Sequence, residues 1–252
     1  MQKLTIKEVI DFCWCPKYYE LKHDNPNEAN FKELYDKKLH QCFYAYLRAL
    51  QNNTLKNSIE FIKYRWGVEW VKQKTNSEII CTPSAFKRDT YDSKRKAGID
   101  AIIVFDDMMK TSQCPILINK EYSIQITKDI ILTGVWEYIR EVTIDDKKRF
   151  QILKVRTENN RFQVDSQMRH DLELTAAAFA FKDMFTVQDF DLVYIDIYKK
   201  RMSPSLREAK DFALLKQTVI SVAYCIKNNI KCISPDKKCF HCEYRDICAS
   251  KL

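Results

Sequence analysis

The stretch that decides the fold runs Ile131-Leu-Thr-Gly134-Val-Trp-Glu137-Tyr-Ile-Arg-Glu-Val-Thr-Ile144-Asp-Asp-Lys-Lys148-Arg-Phe-Gln-Ile152-Leu-Lys154-Val-Arg156-Thr157. It reads as a strand over 130–142, a charged turn at Asp145–Lys148, and a strand over 150–157. Period-two alternation sets Lys154 and Arg156 on one face of the second strand. Working outward, Ile116 to Ile126 reads as a strand before the pair. Gln167–Asp183 reads as a Leu- and Ala-rich helix after it, and Leu192–Tyr198 as a further strand. The middle of the chain is therefore β-β-β-α-β. A mixed sheet of this kind buries both faces under helices.

Helices are expected on both flanks. Residues 4–22 read as a helix broken at Pro16. Leu34, Leu39, Phe43, Tyr46, Leu47 and Leu50 recur at helical spacing over 31–50, and Ile59, Ile62, Trp66 and Trp70 over 56–74. Trp66 and Trp70 fall one turn apart, which suits core better than base stacking. The segment 78–114 fits helix plus loop. Ser203-Pro204 signals a turn before a long helix over 205–228. One unit spans 1–252: a mainly helical part over 1–115, a sheet core over 116–200, and a helix with a Cys-rich tail over 201–252.

The 252 residues include 42 Lys+Arg against 34 Asp+Glu, 10 Cys and 3 Gly. So few glycines read against a Gly-rich phosphate loop. No apolar run reaches membrane-spanning length, and the first residues lack a signal-peptide core. An intracellular, reducing, cytoplasmic setting is expected, where cysteines serve metals or core packing rather than disulfides. The net charge of +8 favours polyanionic partners. The basic triplets at 94–96, 147–149 and 199–201 read as solvated turns, with phosphate contact as the alternative.

Six cysteines sit at the chain ends. The tail Cys239-Phe-His-Cys242-Glu-Tyr-Arg-Asp-Ile-Cys248 places three thiolates within reach of one metal centre. A fourth ligand comes from Cys232, His241 or Cys15, the last followed by a backbone-fixing Pro16. Cys232 implies zinc and Cys15 an iron–sulfur centre; thiolate softness suits both. Cys42, Cys81, Cys114 and Cys225 read as small core residues.

With Cys15-Pro16 at one end and the C-x2-C-x5-C run at the other, the chain resembles RecB-type PD-(D/E)XK nucleases. The likeness is to their iron–sulfur branch, which includes the AddB nuclease domain and RecB-like CRISPR-associated nucleases. The resemblance implies an α/β fold with an αβββαβ restriction-endonuclease-like core. It also implies a 4Fe–4S cluster on Cys15, Cys239, Cys242 and Cys248, clasping the two ends of the chain. The family's chemistry is phosphodiester hydrolysis, with strand carboxylates holding divalent metal and a Lys beside them.

Carried over motif by motif, His40 matches the family's early helix histidine and Glu121 a strand glutamate, loosely. Gly134-Val-Trp-Glu137 matches Gly-x-x-Asp, with Glu137 as the metal ligand in an active enzyme. The (Asp/Glu)-x-Lys motif aligns with Lys154-Val-Arg156, so an ammonium stands where a carboxylate belongs. Asp171-Leu-Glu-Leu-Thr175 replaces Gln-x-x-x-Tyr. An ammonium 4 Å from a divalent ion costs roughly 8 kcal/mol at an effective dielectric of 20. Lys154 is therefore expected to pair with Glu137, fill the metal position and silence cleavage. Glu158, Glu121 and Asp100 are the carboxylates that would rebuild a site with Mg or Mn, and Gly98-Ile-Asp100 offers a second Gly-x-Asp signal. The resemblance implies a nucleic-acid partner, DNA before RNA, and a place in a DNA-processing or transcription complex; the small size and biased composition suit a phage or mobile-element protein. A purely protein-binding subunit is the remaining alternative.

Overall fold

The computed structural model describes residues 1–24, 31–54, 58–75, 91–110, 112–144, 146–157, 171–185, 189–231, 239, 242 and 244–249. Its elements are β1 (Gln2–Thr5), α1 (Ile6–Trp14), α2 (Pro16–Asp24), α3 (Phe31–Gln51), α4 (Ser58–Thr75), α5 (Tyr91–Met109), β2 (Pro115–Thr127), β3 (Ile130–Ile144), β4 (Lys147–Arg156), α6 (Leu172–Phe185), β5 (Phe190–Asp196), β6 (Arg201–Ser205), α7 (Ala209–Lys227) and α8 (Arg245–Ala249).

The expected β-β-β-α-β core is present as β2, β3, β4, α6 and β5. β2 and β4 flank β3 antiparallel, and β5 returns parallel to β4. The sheet order is β1-β3-β4-β5-β6, with β2 on β3's other edge. Two strands lie outside the expected 116–200 core. β1 was expected as helix; instead Leu4 packs in the core while β1 lies parallel to β3, and the helix starts at a Thr5–Glu8 capping box. β6 includes Ser203-Pro204, which was expected as a turn. Pro204 is tolerated because β6 is the edge strand of the sheet.

Two apolar cores lie on the two faces of this sheet. Leu4, Val9, Ile152, Leu174, Tyr194 and Val219 belong to the core under α1, α6 and α7. Leu39, Phe43, Trp66, Phe105, Leu153 and Ile195 belong to the core under α3, α4 and α5. Alternation along β4 and β5 explains the division: Ile152 and Leu192 point one way, Leu153 and Val193 the other. Trp66 and Trp70 stack in parallel at 5.2 Å, both buried, as expected for core. The indole N–H of Trp66 donates to the Arg95 carbonyl at 2.9 Å, so its burial leaves no orphan donor.

Gly98 lies on α5 directly beneath Trp66, where a Cβ would come within 2.2 Å of the indole. Asp100 is exposed on the same helix. The Gly98-Ile-Asp100 signal is therefore a packing feature and carries no site. Gly134 on β3 is required by a different contact, since its Cβ would meet the Tyr122 hydroxyl at 2.3 Å. The triplet at 94–96 is helical rather than a turn, with the Lys94 ammonium 4.8 Å from the centre of the Tyr35 ring. Lys199 and Lys200 form the β5–β6 turn as expected.

These contacts separate the glycines by outcome. Gly98→Ala and Gly134→Ala should each destabilise by about 1–3 kcal/mol through overpacking. Gly67→Ala, facing only the end of the Arg95 side chain at 3.4 Å, should stabilise α4 by up to about 1 kcal/mol. Urea-unfolding midpoints of the three variants check the order.

Candidate active site

β3 carries two different strands along one edge. β1 pairs with Ile130–Thr133, and β4 pairs with Tyr138–Ile144. Between them, Gly134 to Glu137 has neither partner in register. Continuing the β3–β4 register by one step would put Glu137 opposite Lys154, but the ladder ends at Tyr138 and Leu153. Side-chain alternation also slips here. Trp136 and Ile139 both pack with the α6 core, and Tyr138 with the α3 core.

Glu137 sits in that parting of the strands. Its carboxylate accepts the Val155 backbone N–H at 2.7 Å, giving that donor a partner where the ladder has stopped. His40, from α3, brings Nδ1 to 3.8 Å from the same oxygen. The His40 match from the early-helix motif thus reaches Glu137.

Lys154 turns towards α6. Its Nζ lies 2.6 Å from Glu173 Oε2 and 3.0 Å from Asp171 Oδ2. Asp171 also caps the helix: its Oδ1 accepts the Leu174 N–H at 2.9 Å. The guanidinium of Arg207 fixes this first turn, donating to Thr175 Oγ1 and Ser205 Oγ, both at 2.6 Å. The expected Lys154–Glu137 pair is replaced by a clamp from helix carboxylates. The reason is local: Glu137 is held by Val155, while Asp171 and Glu173 reach the ammonium directly.

Arg156 follows Lys154 on β4. It lies beside Asp196, its parallel neighbour on β5, with Nη1 3.8 Å from Oδ2. Glu121 is exposed, while the adjacent Tyr122 turns inward from β2. Glu121 is not brought to the pocket. Glu158 lies outside the described residues. The sequence reading quoted Asp171 and Glu173 but missed their role as partners of Lys154. An Asp one residue before an apolar helix is a cap signal, and an acid replacing the motif's neutral Gln was the available hint of a charge partner.

Electrostatics follow from this packing. Burial drives the Glu137 carboxyl up to about 8, even with Lys154 opposing it. Burial drives His40 down to about 4. For Lys154, burial works against the charge, but Glu173, Asp171 and Glu137 outweigh it and hold the ammonium well above its ordinary range. The Lys154 charge holds Glu173 below its ordinary value. Burial raises Asp171, yet Lys154 and the Leu174 N–H pull it below the usual range. At neutral pH the pocket therefore holds one ammonium, two carboxylates, a protonated Glu137 and a neutral His40. The void against these groups is about 10 Å³, the size of one water site.

The cysteines occupy another part of the molecule. Cys15 caps α1, its N–H donating to the Asp11 carbonyl at 3.0 Å. Cys242 N–H donates to Cys239 O at 3.3 Å, and Cys248 N–H to Tyr244 O at 2.8 Å. Tyr244 is buried and meets Tyr18 of α2 edge-on at 5.5 Å. Among the described residues, no group of three or more His, Cys, Asp or Glu side chains is gathered to hold a metal ion. Cys232, Cys81 and His241 lie outside the described residues. Cys42 is buried, as expected; Cys225 is half-buried and packs against the core, whereas Cys114 is exposed and is not a core residue.

Glu137 gives the pocket a pH signature. Between about pH 4.5 and 8 the folded carboxyl keeps a proton that the unfolded chain has released, so stability falls as pH rises through that window. Glu137→Gln should flatten this decline while leaving the acid limb, which belongs to Asp171, Glu173 and His40. Urea unfolding between pH 5 and 9 measures the slope.

No helix among the described residues is long and apolar enough to cross a membrane. No curated protein matches the chain. A matching solved structure, the crystal structure of SSO0001, covers 75% of this chain and 81% of its own at 14% identity, with a TM-score of 0.35, a likeness too loose to carry an argument. The family model of the PD-(D/E)XK nuclease superfamily matches residues 4–249, spanning the αβββαβ core and the pocket at Glu137 and Lys154, and the chain belongs to that superfamily.

Proposed function

We propose that this chain is a nuclease-fold protein whose hydrolytic site is silent and which binds nucleic acid as a subunit of a DNA-processing or transcription complex. The observation that carries the reading is the Lys154 ammonium, 2.6 Å from Glu173 and 3.0 Å from Asp171. A side-chain cation already neutralises the carboxylates of the pocket. A divalent ion beside it meets a repulsion of roughly 8 kcal/mol at an effective dielectric of 20.

A second reading has one observation in its favour. Asp171 and Glu173 share the Lys154 ammonium and Glu137 lines the same pocket, so a divalent ion that expelled Lys154 would inherit its two carboxylate partners. In that enzyme Glu137 would hold Mg²⁺ or Mn²⁺, and the ion would polarise the phosphodiester. The tests separate the two. Under the first reading, labelled single- and double-stranded DNA bind with affinity falling as salt rises, and neither is cut with Mg²⁺ or Mn²⁺. Lys154→Glu combined with Glu173→Gln puts a carboxylate back on β4 and should create Mn²⁺ binding detectable by calorimetry. Cleavage by the unaltered protein that vanishes in Glu137→Ala establishes the second reading instead. Salt-insensitive association with DNA would favour a purely protein-binding subunit.

The cysteine clasp belongs to the same proposal. Cys15, Cys239, Cys242 and Cys248 are the four thiols that would hold a 4Fe–4S cluster, and such a cluster would supply a cross-link between distant parts of the chain. The support is the donor chemistry and the docking of the tail on α2 through Tyr244 and Tyr18. Anaerobically purified protein should be brown with broad visible absorbance, and Cys15→Ser should lose the iron. Colourless protein with stoichiometric zinc, indifferent to Cys15→Ser but not to Cys232→Ser, overturns the assignment.

A further inference from the structure

A second recess lies away from Glu137 and is far larger, about 190 Å³ against 10 Å³. It opens between α1, α2 and the C-terminal end of α7. Phe12, Tyr19 and Ile226 give it apolar walls, with the two rings edge-to-face at 5.6 Å. His23 leans on Tyr19 at 5.9 Å. The rim carries the Glu20 and Asp24 carboxylates together with the Lys231 ammonium, which Glu20 holds.

We infer that this recess binds a small organic cation, an amine or guanidinium carried on a compact apolar body. Three independent features converge on that chemistry. Aromatic faces attract cations through the ring quadrupole. The C-terminus of a helix is its negative end, and α7 runs 19 residues before closing at Asn229 in the left-handed region. The last turn's Cys225 and Ile226 line the recess, with their carbonyls accepting the Ile230 and Asn229 N–H groups. The rim already attracts ammonium groups from the chain itself. Glu20 holds Lys17 at 2.7 Å and Lys231 at 2.6 Å. Asp24 on the same rim is engaged by no ion pair among the described residues, and it is the carboxylate left for an incoming cation. The inference is independent of whether the Glu137 pocket cleaves or binds nucleic acid.

The probes are benzylammonium and butylguanidinium, titrated into the full chain while Tyr19 and His23 ring resonances are followed by NMR. Both should shift and saturate those resonances. Neutral benzyl alcohol should bind about tenfold more weakly, and Asp24→Asn should weaken the cations by a similar factor. Asp24 is exposed, so its substitution should leave the fold intact. Tyr19→Leu keeps apolar bulk and should lower affinity about threefold to tenfold through the lost ring. Equal binding of benzyl alcohol, unshifted Tyr19 and His23 signals, or indifference to Asp24→Asn each overturn the inference.

Discussion

The ion pair of Lys154 with Asp171 and Glu173 governs the centre of this molecule. Three acidic side chains meet where strands β3 and β4 separate, and they are tolerable there only if positive charge is supplied. The chain supplies it from its own β4. The three paired side chains are each less than a third exposed. Removing one partner from a buried pair costs about 3–5 kcal/mol, because the other charge is stranded. The clamp also organises the fold around it. Asp171 is at once a partner of Lys154 and the cap of α6, so the start of that helix and the charge state of the pocket are one feature.

The parting of the strands is the second constraint. An edge shared by β1 and β4 leaves four residues of β3 without a strand on that edge, and backbone donors there need other acceptors. Glu137 serves Val155 in this way and becomes a largely protonated carboxyl at neutral pH. Gly134, at the start of the gap, has no side chain because Tyr122 fills the space above it. Helix α1 begins directly after β1 and ends at Cys15. A rigid element about 13 Å long thus joins the neighbourhood of the pocket to the cysteine end of the molecule.

Period and composition made the central elements legible. The alternation of Ile152, Lys154 and Arg156 placed β4, and helical spacing placed α3 and α4 within two residues. β1 was hidden because four residues beside a capping box lie inside a helical pattern. β6 was hidden because proline in an edge strand looks like a turn. At the site, Glu137, Lys154 and His40 were found from motif positions, and all three lie within one pocket. The partners of Lys154 were not, since a strand residue and a helix cap seventeen positions later meet only through the βαβ packing. Arg156 misled for the opposite reason. Alternation gives the face of the strand but says nothing of Asp196, which waits beside it on β5.

The charge pattern has an internal logic. Relative to the superfamily motif, β4 has gained a positive charge at Lys154 where a negative one is expected, and Asp171, at the start of α6, brings a negative one where a neutral amide is expected. Either change alone would strand a half-buried charge. Together they form a contact of 3.0 Å, with Glu173 adding a second at 2.6 Å. A site decaying without constraint would lose its charges to neutral residues, because an unpaired ion is the costliest occupant of a packed interior. This pocket instead keeps four ionisable side chains within reach of Glu137 and satisfies them from within the chain. The arrangement preserves the framework that holds β3, β4 and α6 together.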